Sequence, residues 1–296
     1  MSTPEENRAE IGRIVVGRDA SGPIELHYED RGSGRPVVLI HGWPLSGASW
    51  EKQVEALRSG GYRVLRYDRR GFGQSSQPSS GYDYDTLADD LYKVLVHLDL
   101  HDVTLVGFAM GTGEVARYLR AYGAKRIRSA VFLASLPPFL LKTEDNPGGI
   151  DGNVFAAIQR RLTDDRRAYV TSFLADFYNV DALDGDRVGE RTVEKSRDVA
   201  MNASSQGLHD CVAAWTTDFR ADCRHIDIPA LIVHGDADRI LPLAATGAAL
   251  HERLRASRLV IVEGAPHGLN WTHAEDVNRE LLAFLAERPE RPTHRS

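Results

Sequence analysis

The sequence predicts an α/β fold, a mostly parallel doubly wound sheet with a block of helices inserted between two of its strands. Three observations carry that expectation. Apolar residues recur in short continuous runs rather than in apolar–polar alternation, which suits strands covered on both faces. Segments with apolar residues at helical spacing separate those runs. The rhythm fails once, over residues 136–224, where helix-like stretches follow one another with no convincing strand.

In chain order, "IGRIVV" and "IELHYE" read as a hairpin pair. "PVVLIHG" follows, with four consecutive apolar residues stopped by His-Gly, and then "YRVLRYD", "VTLVGF", "SAVFLAS", "ALIVHGD" and "RLVIVEG". Between them, Leu87, Leu91, Val94, Leu95 and Leu98 share one helical face, as do Val115, Tyr118, Leu119 and Tyr122. The last helix carries a capping-box pattern, Thr272 to Glu275, ahead of Val277, Leu281, Leu282 and Leu285. Strands joined by helical crossovers make a parallel sheet wound on both faces.

The interruption opens at Pro137–Pro138, a poor continuation for a sheet, and runs into the loop "KTEDNPGGIDGN". An all-helical insertion between two strands of one sheet is a cap. The expected organisation is a core of residues 1–135 and 225–288, a helical cap at 136–224 and a flexible tail at 289–296. There is no internal repeat and no low-complexity segment.

Bulk properties narrow the function classes. The chain has 296 residues, 42% hydrophobic and 26% charged, ordinary for a globular protein with a large core. The net charge of −6, with no basic block except the short tail "ERPERPTHRS", argues against nucleic acid as a partner. Two cysteines, Cys211 and Cys223, make neither a disulfide framework nor a metal cluster, and read as reduced, packed thiols. "MSTPEENRAE" has no apolar leader core, and no run approaches the roughly 18 apolar residues of a membrane span. A soluble cytoplasmic protein without a membrane partner is the expectation.

The stretch that raises a question is "LVGFAMG", residues 105–111. A strand entering a helix through Gly107-Phe108-Ala109-Met110-Gly111 forces residue 109 into a sharp turn, with glycines where side chains would collide. That geometry lifts residue 109 above the strand ends, at the positive end of a helix. Alone, the pattern is as readily an ordinary strand–helix turn. It has company: "ALIVHGDADRILP" puts Asp236 and Asp238 beyond one strand, and "VIVEGAPHGLN" puts His267 beyond the next. Reactive groups gather outside the carboxyl ends of such strands. The order of turn residue, aspartate and histidine is that of nucleophile, acid and base in α/β-hydrolases.

Chemistry then assigns roles. A neutral His267 takes the nucleophile's proton, and a buried carboxylate on its other nitrogen fixes the tautomer. A tetrahedral oxyanion needs backbone N–H donors, expected from Met110 and from Trp43 in the loop after "VVLIHG". His41 reads as a loop-shaping hydrogen bonder rather than a catalyst.

The motifs "LIHGWPLSGASW", "YDRRGFGQSS", "VGFAMGTGEVARY", "CVAAWTTDF", "HGDADRILP" and "EGAPHGLNWTHAEDVN" resemble the cofactor-free bacterial haloperoxidases, or perhydrolases, and the aryl esterases of the α/β-hydrolase superfamily. The likeness spans roughly residues 24–286. It implies a nucleophile at position 109, the acid at Asp238 rather than Asp236, the base at His267, and oxyanion donors at Trp43 and Met110. It implies hydrolysis of small esters, interconversion of carboxylic acids and peracids with hydrogen peroxide, and no metal, haem or other cofactor. Dimers or larger rings are common in that family, so a homo-oligomer is also implied. Pro44 has no N–H and restrains Trp43. In the family a proline there goes with the perhydrolase branch; equally, Pro44 reads as a loop stiffener.

The departure from the pattern is Ala109 itself, a methyl group where the family has serine. Losing that serine costs on the order of 10⁶ in turnover, about 8 kcal/mol. Two readings follow: a serine hydrolase disarmed by Ser→Ala, or a natural ligand-binding pseudo-hydrolase. Retention of Asp238, His267, both donor positions and the glycine turn favours the first. The "GFxMGTGEVARY" context argues against the aspartate nucleophile of haloalkane dehalogenases and epoxide hydrolases. The cap aromatics Phe139, Phe155, Phe173, Phe177, Tyr178, Trp215 and Phe219 mostly pack, with some facing the site. Trp43, Trp215, Trp271, Phe108 and Pro44 are the expected substrate contacts, for a small apolar or aromatic ester, lactone or amide.

Overall fold

The computed structural model describes residues 9–183 and 186–287; the expected tail at 289–296 and the polar stretch at 1–8 lie outside them. The strands are β1 (Ala9–Asp19), β2 (Gly22–Arg31), β3 (Pro36–Ile40), β4 (Arg63–Tyr67), β5 (Val103–Phe108), β6 (Ile127–Leu133), β7 (Ala230–Gly235) and β8 (Ser257–Val262). They form one eight-stranded sheet in the order β1-β2-β4-β3-β5-β6-β7-β8. β1 pairs antiparallel with β2 and β2 antiparallel with β4. From β4 across to β8 every pairing is parallel.

The helices are α1 (Glu51–Ser59), α2 (Tyr84–His97), α3 (Met110–Tyr122), α4 (Gly152–Tyr178), α5 (Val180–Leu183), α6 (Glu190–Asn202), α7 (Ser205–Ala214), α8 (Arg220–Cys223), α9 (Gly247–Arg253), α10 (Leu269–Thr272) and α11 (Ala274–Ala286). Every residue of β5 and β7 is buried, as continuous apolar runs require of central strands. β8 departs from that expectation. It is the sheet edge, with Ile261 52% exposed, so its run "RLVIV" is covered on one side only.

The expected capping box on α11 is absent. The N-cap is His273, no side chain caps the helix, and the Thr272 hydroxyl donates to the Gly268 carbonyl 3.2 Å away. Thr272 already ends α10, where its hydroxyl finds a carbonyl of its own turn.

Strand order determines where a site can form. After β3 the chain turns to β4 on one side, then returns to lay β5 against the other side of β3, with Ile40 paired to Gly107. The loops leaving β3 and β5 therefore diverge, and a crevice opens at that switch point. Between β6 and β7 the described residues hold α4 to α8 and only isolated bridges, Leu141–Ile150 and Thr143–Asn146. These helices cover the crevice: Trp43 packs against Phe173 and Trp215, with ring centroids 4.9 and 5.0 Å away, and Phe177 packs against His267. Phe139, Phe155 and Phe219 instead pack within and beneath this layer, Phe219 against Tyr84 and Phe139 under the Arg220 guanidinium.

Candidate active site

The turn from β5 to α3 is as tight as its glycines suggest. A Cβ on Gly107 would stand 2.7 Å from the Gly111 carbonyl oxygen, and one on Gly111 would stand 2.4 Å from that of Ile40. Between them Ala109 adopts φ 49° and ψ −116°. A non-glycine residue there costs about 1–3 kcal/mol, and such strain collects at functional sites. The turn is held by the Ala109 N–H donating to Leu133 O at 2.9 Å and by the Thr112 N–H donating to Ala109 O at 3.0 Å. No side chain caps α3, so the positive end of the helix opens beside Ala109.

Two further loops bring polar groups to the same place. His267 Nδ1 lies 2.7 Å from Asp238 Oδ2. Their meeting depends on Gly235, where a Cβ would fall 2.0 Å from the Ala265 carbonyl oxygen, so only glycine lets the β7 and β8 loops approach this closely. Asp238 Oδ1 accepts from the N–H groups of Ile240 and Leu241, both at 2.8 Å. The carboxylate is buried, which by itself raises its pKa. His267, as a facing charge and a hydrogen-bond partner, and the His234 ring at 3.3 Å outweigh that and hold it well below the usual carboxylate range. Asp236 has a different task, bracing the loop by accepting from the Gly264 N–H at 2.7 Å.

Loop 41–45, after β3, supplies the other wall. The Leu45 N–H donates to Gly42 O at 3.1 Å, closing a turn around the cis Trp43–Pro44 bond. The Trp43 indole N–H donates to Leu208 O at 3.2 Å, tying this loop to α7. His41 is a loop shaper, as expected: Nε2 accepts from the Arg69 N–H at 3.0 Å, Nδ1 meets Gly42 O at 2.9 Å, and burial pushes its pKa down to about 3.

Ala109, His267, Trp43, Met110 and Trp215 line one small cavity of about 30 Å³, closed further by Leu136, Phe173, Ile240 and Leu241. Of the expected substrate contacts, Trp43 and Trp215 are therefore in its wall. Pro44, Phe108 and Trp271 are not. Phe108 is fully buried against Trp50, Phe177 and the His267 ring. Pro44 is buried in its turn, and Trp271 lines a separate pocket beneath the Lys52 ammonium, which sits 4.6 Å from its ring centre.

The sequence motifs do not reveal the support beneath the site. Arg69, 1% exposed, donates to Glu114 Oε2 at 3.0 Å and to the His41 carbonyl at 2.8 Å, while Tyr67 also binds Glu114. The Tyr84 hydroxyl donates to Met110 O at 3.1 Å. Arg69 and Glu114 come from different quoted motifs, and only folding makes them a pair.

A histidine backed by a buried carboxylate, beside a strained strand–helix turn and an uncapped helix start, is the equipment for abstracting a proton and steadying an oxyanion. The comparisons agree with this architecture. The model of the alpha/beta hydrolase fold family matches residues 35–274. The chain belongs to that family. Within the hydrolase fold, its relatives include a Synechocystis sp. protein described as "Putative non-heme chloroperoxidase", 56% identical over 92% of this chain and 99% of its own. A bifunctional esterase/perhydrolase from Acinetobacter calcoaceticus is 34% identical over 88% of this chain and 96% of its own. The crystal structure of bromoperoxidase from Bacillus anthracis superimposes with a TM-score of 0.90 at 46% identity, covering 94% of this chain and 100% of that one. The haloperoxidase and esterase resemblance read from the motifs thus extends over the whole hydrolase fold. Among the described residues, no helix is long and apolar enough to cross a membrane.

Proposed function

We propose that the cavity over Ala109 is a serine-type acyl-transfer site whose nucleophile is missing. The observation that carries this reading is that His267, joined to buried Asp238 at 2.7 Å, lines the same cavity as Ala109. In the armed site, a serine hydroxyl at position 109 attacks the ester carbonyl and passes its proton to His267 Nε2. Asp238 on Nδ1 holds the tautomer and steadies the imidazolium. The Met110 and Trp43 N–H groups bind the oxyanion. His267 then protonates the departing alcohol, leaving an acyl-enzyme. Water attacks that intermediate to give the carboxylic acid, or hydrogen peroxide attacks it to give the peracid, and in both cases His267 removes the proton.

The substrate is a small apolar or aromatic ester, in keeping with the aromatic character of the walls formed by Trp43, Phe173 and Trp215, and most of it must extend beyond the about 30 Å³ over Ala109. Support for peroxide as acceptor comes from the relatives, among them a chloroperoxidase, a bromoperoxidase and an esterase/perhydrolase. With a methyl group at 109 the chain binds such a substrate without forming the acyl bond, and turnover falls by on the order of 10⁶ relative to the serine form. The test compares the chain with its Ala109→Ser variant on 4-nitrophenyl acetate, with and without peroxide, and follows acyl-enzyme by intact mass. The expected result is a gain of several orders of magnitude with a mass adduct on the variant only. If serine restores no turnover but the ester still binds, the protein is a binding pseudo-hydrolase. Turnover of lactones or amides in preference to esters would move the bond type, not the mechanism.

A further inference from the structure

We propose that the protein has a second small-molecule site, for a neutral aromatic alcohol, in a pocket outside the Ala109 cavity. That pocket measures about 320 Å³, against about 30 Å³ over Ala109, and the two share no lining residue. A volume of this size falls within the about 300–1,000 Å³ usual for ligand sites. It lies between loop 45–51, helix α6 and helix α10.

The lining names the ligand class. Leu45, Tyr178 and Trp271 offer apolar and aromatic surface, the first two 4% and 2% exposed. One polar group stands out against them. Asn270 is 2% exposed, and its Nδ2 donates to Ser49 O at 3.1 Å, which orients the amide. Its Oδ1 has no hydrogen-bond partner among the described residues and is not sealed from solvent, and because Asn270 lines this pocket we take that oxygen to open on it. A carbonyl oxygen that opens on pocket space accepts from water, and a ligand hydroxyl can take that water's place. Most of the other lining hydroxyls are engaged: Tyr178 with Ser196 at 2.8 Å, Ser49 with Ser46 O at 2.8 Å, and Ser46 Oγ with the Ala48 N–H at 3.4 Å, while the half-buried Thr192 hydroxyl is a second polar group on the wall. The exposed rim carries Lys195 together with Glu51 and Asp198, charges of both signs, so neither a strong anion nor a strong cation is selected. A flat apolar ring carrying one hydroxyl donor fits these walls.

The alcohol half of an aryl ester is such a molecule, but the inference rests on this pocket alone and holds whether or not position 109 ever carried a nucleophile. The pocket is close to the candidate catalytic histidine, since Phe177 packs against both His267 and Tyr178, with centroids 5.1 and 4.7 Å apart.

The experiment is calorimetric titration of the unmodified chain with 2-naphthol and with 2-methoxynaphthalene, which has the same rings but no donor. Saturable binding of 2-naphthol, at least tenfold tighter than the ether, is expected. Thr192→Trp, which fills this pocket only, should abolish it, and Ser49→Phe serves the same purpose if the first variant does not fold. Ile240→Trp, which fills the Ala109 cavity, should leave it intact. Equal affinity for the two ligands, absence of binding up to the solubility limit, survival of binding in a folded pocket-filling variant, or its loss in folded Ile240→Trp would each overturn the proposal. None of these outcomes depends on ester turnover, so the acyl-transfer reading stands or falls separately.

Discussion

Asp238 reaches His267 at 2.7 Å across 29 residues of chain, and each residue is held from a different strand end. The carboxylate is also fixed from below by the Ile240 and Leu241 N–H groups. With the carboxylate so held, Nδ1 is the imidazole nitrogen that faces it, which in the acyl-transfer reading leaves Nε2 for the nucleophile's proton.

In the Ala109→Ser background, Asp238→Asn is expected to lower kcat by on the order of 10⁴ with little change in KM, because an amide can favour the wrong imidazole tautomer. Steady-state kinetics on 4-nitrophenyl acetate measure it. An Asp236→Asn variant should stay within a few fold, since Asp236 braces Gly264 rather than His267. Comparable losses in both variants would mean that the carboxylates act through loop structure alone.

The turn itself makes a prediction about stability. Gly111→Ala would place a methyl 2.4 Å from a backbone oxygen, that of Ile40, which cannot swing aside. A loss of about 2–4 kcal/mol is expected in urea unfolding, from a shift of β3 against α3.

Arg69 and Glu114, 1% and 0% exposed in their side chains, form a buried pair under the loop that carries Trp43. Removing one partner leaves an uncompensated charge. Arg69→Met alone is expected to cost about 3–5 kcal/mol, and Arg69→Met with Glu114→Leu less than the sum of the single changes. A double-mutant cycle by urea denaturation reads the coupling; strict additivity would show that the two charges do not depend on each other.

His41 makes the acid limb of the stability curve steep. Its folded pKa, pushed down to about 3 by burial and by the neighbouring Arg69 charge against the opposing pull of Asp68, lies below the ordinary 6.5. The unfolded chain thus binds a proton that the folded chain refuses. The associated stability is present in full above pH about 6.5 and declines as pH falls toward 3, by at most about 1.4 kcal/mol per pH unit. Urea unfolding of the chain and of His41→Gln between pH 7 and 4 should differ in slope by one proton. Parallel curves would place the titrating group elsewhere.

Much of this was legible in the primary structure, for a physical reason. Central strands such as β5 and β7 must be apolar at every position, because both faces are covered, and that leaves an unbroken run. The same rule misled at β8, where an equally apolar run lies on the sheet edge with Ile261 half exposed. The Thr272–Glu275 capping pattern failed because a neighbouring short helix claims Thr272 first. Phe108 and Trp271 stood next to the right motifs yet do not line the cavity, since adjacency along the chain does not set side-chain position.

By itself the sequence determined the sheet, its helical insertion, the glycine turn at residue 109 and the order of turn, aspartate and histidine. Those follow from local rules: apolar periodicity, the space that only glycine leaves, and residue types suited to moving a proton. Only the tertiary structure decided the distance at which Asp238 meets His267, which aromatics wall the cavity, that Arg69 and Glu114 pair beneath it, and that Asn270 lines a second pocket. Those depend on distances between groups far apart along the chain, which are settled when the whole core closes and not by any window of sequence.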